Sequence, residues 1–142
     1  MNNRGYSFIE LLLVLMIVSV ISTSALYMNN RYMERQTFDL FYNQLKLDVS
    51  HIQSRALAEK KYIKLIFDTG GTRYIGRRSV YDALFIRNLP KGYSVSQTST
   101  LKEFGFQANG SIETFGTLNI LTPDGTKTIR VYIGKGRMKL EE

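Results

Sequence analysis

Cysteine is missing from all 142 residues, histidine occurs once and proline twice. Without a thiol there is no disulfide, no thiolate metal site and no cysteine nucleophile. A domain of this kind outside the cell would be held by packing alone, so cysteine usage leaves the compartment open. A single histidine, His51, limits His-pair metal sites and histidine catalysis. Proline and glycine are both missing between Gly5 and Gly70, so no breaker interrupts a helix there. Charge is almost missing from the start of that stretch: between Arg4 and Arg31 the one charged side chain is Glu10.

Apolar residues fill the space, from Phe8 to Met28. That is roughly the 20 residues a helix needs to cross a bilayer. Arg4 precedes the run, which places the N-terminus in the cytoplasm and the rest of the chain outside. A lone Glu at membrane depth costs on the order of a few kcal/mol and needs a partner. Glu10 is therefore a candidate functional residue. After Ile21 the run turns small and hydroxylic (Ser22, Thr23, Ser24, Ala25), and Tyr27, Arg31 and Tyr32 suit a membrane–water interface. Three plainer readings stand beside this one. The stretch could be a simple anchor, which leaves Glu10 unexplained, a secretory signal cut after Ala25, or a buried core helix.

Beyond the run, Phe38, Phe41, Leu45, Val49, Ile52 and Ala56 step by 3, 4, 4, 3 and 4, one stripe of an amphipathic helix. Arg35, Asp39, Lys46, Asp48, Gln53 and Lys60 are assigned to its solvated face. The spacing predicts one helix from about Tyr6 to Glu59, roughly 80 Å at 1.5 Å per residue. From Tyr62 the period changes to 2. Strands are predicted over 62–67, 72–75, 93–96, 104–106, 117–121, 127–133 and 137–140, with 83–86 either extended or a short helical turn. Gly70-Gly71, Leu89 to Gly92, Asn109-Gly110 and Pro123-Asp124-Gly125 mark turns, the last as an Asp-Gly hairpin. There is no internal repeat, low-complexity segment or linker. The length allows one domain plus the helix, with about 80 residues to form the core. The formal net charge of +7 is compatible with nucleic acid, anionic lipid or wall polymers and specific for none.

Taken together, Arg4-Gly5-Tyr6-Ser7-Phe8-Ile9-Glu10 and the following Leu11 to Val18 resemble the class III signal of type IV pilins and pseudopilins. The resemblance implies an α+β, type IV pilin-like fold: a long N-terminal helical spine packed on a small antiparallel β-sheet. It implies that a prepilin peptidase cuts between Gly5 and Tyr6, that Tyr6 is N-methylated, and that Glu10 pairs with the N-terminal amine of a neighbouring subunit during assembly. Residues 1–5 are then a leader, 6–28 the transmembrane assembly half of the helix, and 29–142 the amphipathic half with an extracytoplasmic β-domain. Many pilins carry a proline in the apolar half of the helix; this chain has none there. The short leader and the cysteine-free basic domain are most similar to the competence pseudopilins of Gram-positive bacteria, their D-type minor member above all. That resemblance implies a structural subunit of an envelope-spanning filament for DNA uptake in transformation. Its partners are the other pilins, the peptidase, the membrane and DNA without sequence preference. It is anchored in the cell membrane and shown at the cell surface. A type II secretion pseudopilin is the alternative, and a membrane-anchored surface-binding protein that never polymerises is another.

No catalytic centre, metal site or cofactor is expected. Ser50, His51 and Asp48 lie on one helix and diverge, whereas a Ser-His-Asp set must converge in a cleft. Asp39 and Asp48 are read as solvated charges. Gly70-Gly71 and Gly134-Lys135-Gly136 fit no phosphate-binding fingerprint. The candidate ligand contact is the basic tail: Lys135, Arg137 and Lys139 alternate with Gly136 and Met138, with Arg130 nearby. Gly136-Arg137-Met138-Lys139 resembles the Gly-Arg-x-Arg ending of some DNA-binding minor pilins. Such side chains could hold phosphates at a sheet edge. The plainer reading is that edge lysines discourage strand addition, and Glu141-Glu142 offset the field. Arg73, Arg77 and Arg78 form a second basic cluster with the same two readings.

Overall fold

The computed structural model describes residues 8–134 and 136–141, except for the side chains of residues 25–32. Helix α1 runs over Phe8–Glu59, and eight strands follow: β1 Ile63–Phe67, β2 Arg73–Arg77, β3 Ala83–Asn88, β4 Ser94–Val95, β5 Glu103–Phe106, β6 Gly116–Thr122, β7 Gly125–Val131 and β8 Met138–Glu141. The chain divides into two compact units, Met1–Gln36 and Thr37–Glu142, and α1 contributes to both.

In the second unit the predicted helical stripe is the core. Phe38, Phe41, Leu45, Val49, Ile52 and Ala56 are all buried, and one apolar cluster joins them to side chains from both sheets. Rings of Phe38, Phe41, Tyr42 and Tyr93 pack with centroids 6.2 to 6.4 Å apart at one end of that cluster. The helix stops without glycine. Lys60 takes φ 54°, a left-handed conformation that costs a non-glycine residue about 1–2 kcal/mol. The Lys61 N–H then donates to the Ala56 carbonyl at 3.3 Å, closing the last turn.

The β part is antiparallel throughout and is divided into two four-stranded sheets, ordered β3-β2-β1-β5 and β4-β6-β7-β8. Residues 83–86 are strand, as part of β3 paired to β2. A register shift between Gly76 and Arg77 leaves Leu84 of β3 as the extra residue of a bulge. The sheets meet through backbone bonds: Val95 N–H donates to the Gly71 carbonyl at 2.8 Å, and Leu101 N–H to the Thr117 carbonyl at 3.1 Å. Gly71 is at φ 65°, and a Cβ there would come within 2.6 Å of the Val95 oxygen, so only glycine fits this seam. The β6–β7 hairpin differs from a two-residue Asp-Gly turn. Thr122 faces Gly125, so Pro123 and Asp124 are the central residues. Proline's fixed negative φ suits the first central position, and Gly125 follows the turn at φ 130°.

Candidate assembly and ligand-contact sites

Gly5 and Tyr6 lie outside the described residues, and so does Lys135. Glu10 stands in the first turn of α1, where the helix dipole favours a carboxylate. It is exposed and makes no hydrogen bond or ion pair among the described residues. The apolar side chains around it are uncovered in the lone chain: Phe8 is 78% and Met16 71% exposed, and every residue from Leu11 to Val18 keeps about half its surface or more. A surface this apolar calls for lipid or protein around it. Three hydroxyls in the same stretch are satisfied within the helix. Ser19, Thr23 and Ser24 donate to the carbonyls of Leu15, Ser19 and Val20 at 2.8, 2.8 and 2.9 Å. Their polar hydrogens therefore need no water. Among the described residues no helix is long and apolar enough to cross a membrane. The side chains described within the expected span of 6–28 are those of residues 8–24.

Of the basic tail, Arg137 and Lys139 fall among the described residues, and only Lys139 lies within β8. β8 is an edge strand, and Arg130 lies directly opposite Lys139 on β7. Arg137 sits just before β8, its carbonyl accepting the Tyr132 N–H at 2.9 Å. Arg137 and Lys139 are exposed and line a shallow depression of about 650 Å³ with Tyr132, Ile133 and Met138. A neighbouring hollow of about 560 Å³ shares Tyr132 and Ile133 and adds Phe115 and Arg130. Ile133 and Phe115 are exposed, an apolar floor that the alternation of basic residues did not reveal. The acidic end offsets part of the field, because Arg130 Nε is 3.0 Å from Glu141 Oε1.

The second basic cluster does not form one site. Arg73 pairs with Asp68 at 3.0 Å. Arg78 is clamped by Glu59 at 2.6 Å and Asp82 at 3.0 Å, and its hydrogen bonds hold the Glu59 carboxyl below the usual range. Arg77 buries its Nε without a partner. Ion pairing to nearby carboxylates, invisible to composition, uses up most of that charge.

Asp48 also departs from the sequence reading: it is 4% exposed, not solvated. Its Oδ2 accepts the Tyr74 hydroxyl at 2.7 Å and lies 3.4 Å from Arg87 Nε, while Oδ1 accepts from Gln44 at 3.0 Å. One step of the helix past the apolar stripe brought it under β2 and β3. Burial, and then the Asp48 carboxylate, push the Tyr74 phenol up. His51 is a face residue, stacked on Phe85 at 6.1 Å with Arg55 Nε donating to its Nε2 at 3.4 Å. Asp39 is exposed. Among the described residues no group of His, Cys, Asp or Glu is arranged to hold a metal.

Residues 1–26 match the prokaryotic N-terminal methylation motif. The type IV minor pilin FimU of Pseudomonas aeruginosa superposes with TM-score 0.60 over 78% of this chain and 92% of its own, at 18% identity. The fold is type IV pilin-like. EpsH, a minor pseudopilin from the type 2 secretion system of Vibrio cholerae, superposes with TM-score 0.55 over 72% and 94%, at 13% identity. A search of curated proteins gives no significant match. A long N-terminal helix followed by antiparallel strands is thus an arrangement shared with these two proteins at low sequence identity.

Proposed function

We propose that this chain is a minor pilin-like structural subunit of an envelope-spanning filament, and that the filament serves DNA uptake in transformation. The observation that carries the first half is a coincidence in one segment. The methylation motif at residues 1–26 opens a helix whose apolar side chains are uncovered, ahead of a pilin-like β-domain. In this reading residues 1–5 are a leader removed between Gly5 and Tyr6, Tyr6 is methylated, and 6–28 insert in the membrane and then in the filament. Glu10 meets the N-terminal amine of a neighbour, which satisfies a carboxylate that has no partner within the described chain. Residues 29–142 stand outside the membrane.

The DNA half draws support from Arg137 and Lys139 beside Tyr132 and Ile133, cations and an aromatic ring at one sheet edge. The likeness to EpsH favours a second reading, a filament of a secretion machine. Deletion of the gene in its native host separates them, with uptake of labelled DNA and secreted-protein levels measured together. Lost uptake with secretion intact supports the transformation reading. Intact uptake with a secretion defect moves the subunit to the second machine. A mature chain that still begins at Met1 would remove the filament reading altogether.

A further inference from the structure

The two sheets have four edges, β3 and β5 in one, β4 and β8 in the other. Three are closed by specific bonds. At β5, the Gly105 carbonyl accepts the Glu113 N–H at 3.0 Å, Gln107 N–H donates to Ser111 at 2.9 Å, and Phe106 bridges to Ile112. β4 is two residues long, and its outward Val95 N–H is held by Gly71. At β8 the Met138 carbonyl accepts the Tyr42 hydroxyl at 3.2 Å. β3 is different. Leu89 N–H donates to Thr72, so residues 89, 87 and 85 turn their backbone groups toward β2. The N–H and C=O groups of Ile86 and Asn88 then point outward, and no turn or loop bond meets them among the described residues. A bulge at Leu84 interrupts one end of this edge; along the rest there is no proline and no lysine, and Ile86 is 57% exposed.

We infer that β3 pairs with β3 of a second copy of this chain, antiparallel and centred on Ile86. The choice of partner comes from the strand itself. In that register Ile86 faces Ile86, an apolar pair on the outer face. Phe85 of each copy faces Arg87 of the other. Arg87 already lies 5.8 Å from its own Phe85 ring, so the cation–aromatic contact is one this pair of side chains makes. No two arginines oppose each other, and Arg87 keeps Asp48. Asn88 of each copy lies beside the bulge at Leu84 of the other, so the shared ladder is short. Two four-stranded sheets become one of eight strands. The contact is isologous and closes at two copies, so it does not propagate as a filament contact does. It stands on strand geometry and does not depend on the filament reading.

The absence of cysteine makes the test clean. In the full-length chain in detergent, Ile86→Cys places two thiols on residues about 5.5 Å apart between Cα atoms, within disulfide reach. Oxidation or a short bismaleimide should give a dimer, with none above background at the exposed Thr126→Cys on β7. Ile86→Lys puts two cations in register without touching the β2 ladder. It should halve the protein mass seen by light scattering while the circular-dichroism spectrum of the folded chain holds. A monomeric parent chain, equal cross-linking at both cysteines, or a dimer that survives Ile86→Lys overturns the pairing.

Discussion

Tyr74→Phe removes one hydroxyl from the contact between α1 and β2 and leaves the Asp48 carboxylate buried with one donor fewer. A buried acceptor deprived of its partner costs about 1–3 kcal/mol. The variant should unfold at correspondingly lower denaturant with an unchanged m-value. The same bond sets a pH dependence. An unfolded tyrosine titrates near about 10. The folded Tyr74 holds its proton more tightly, and Tyr62 is pushed up to about 12 by burial and the Glu113 carboxylate beside it. A raised phenol contributes stability that is fully present below the unfolded value and is lost as pH rises through the folded one. The thermal midpoint should therefore fall above about pH 10, and less steeply in Tyr74→Phe. An identical slope in both chains would remove Tyr74 from that account.

At the scale of elements, α1 gives the sharpest contrast. Leu45 is fully buried against the sheets, while Leu47, two residues on, is 66% exposed. Leu45→Ala should cost about 2–5 kcal/mol and Leu47→Ala about 0.5 kcal/mol or less, measured by denaturant unfolding. Equal losses would mean that the helix presents another face. The stripe was legible because helical periodicity reports which positions face inward, and each of its six residues is buried. Most strands were legible from alternation and from Gly70-Gly71, Asn109-Gly110 and Pro123 to Gly125. Sheet membership was not. β5 joins β1 across nearly forty residues of sequence, and β4 joins β6, pairings that depend on long-range contacts. The Arg78–Glu59 pair and the burial of Asp48 were hidden for the same reason, whereas Arg73–Asp68 and Arg78–Asp82 close within turns whose geometry composition does not give. The alternation of basic residues in the tail is a local pattern, whereas Phe115 reaches the neighbouring hollow from a different segment of the chain.

For the whole molecule, the N-terminal segment and the β-domain make separate demands. Glu10→Leu removes the carboxylate and leaves the helix and β-domain unchanged. The variant should be made, inserted and processed, yet be missing from sheared filaments; its recovery there at the parent level would refute the pairing of Glu10 with a neighbour's amine. DNA contact is a demand on the other end. A net charge of +7 attracts any polyanion, so binding alone says little about the tail. Salt dependence is more discriminating. Each phosphate neutralised on duplex DNA adds about 0.9 to the slope of log affinity against log salt. If Lys135, Arg137 and Lys139 hold phosphates, changing all three to Ala should lower that slope by roughly 2–3 and weaken every sequence alike. Arg137 and Lys139 are exposed, so the fold should tolerate the change. A lower affinity with an unchanged slope would assign the effect to lost packing around Tyr132 and Ile133. An unchanged affinity would move the DNA contact to another subunit and leave β8 an edge closed by Tyr42.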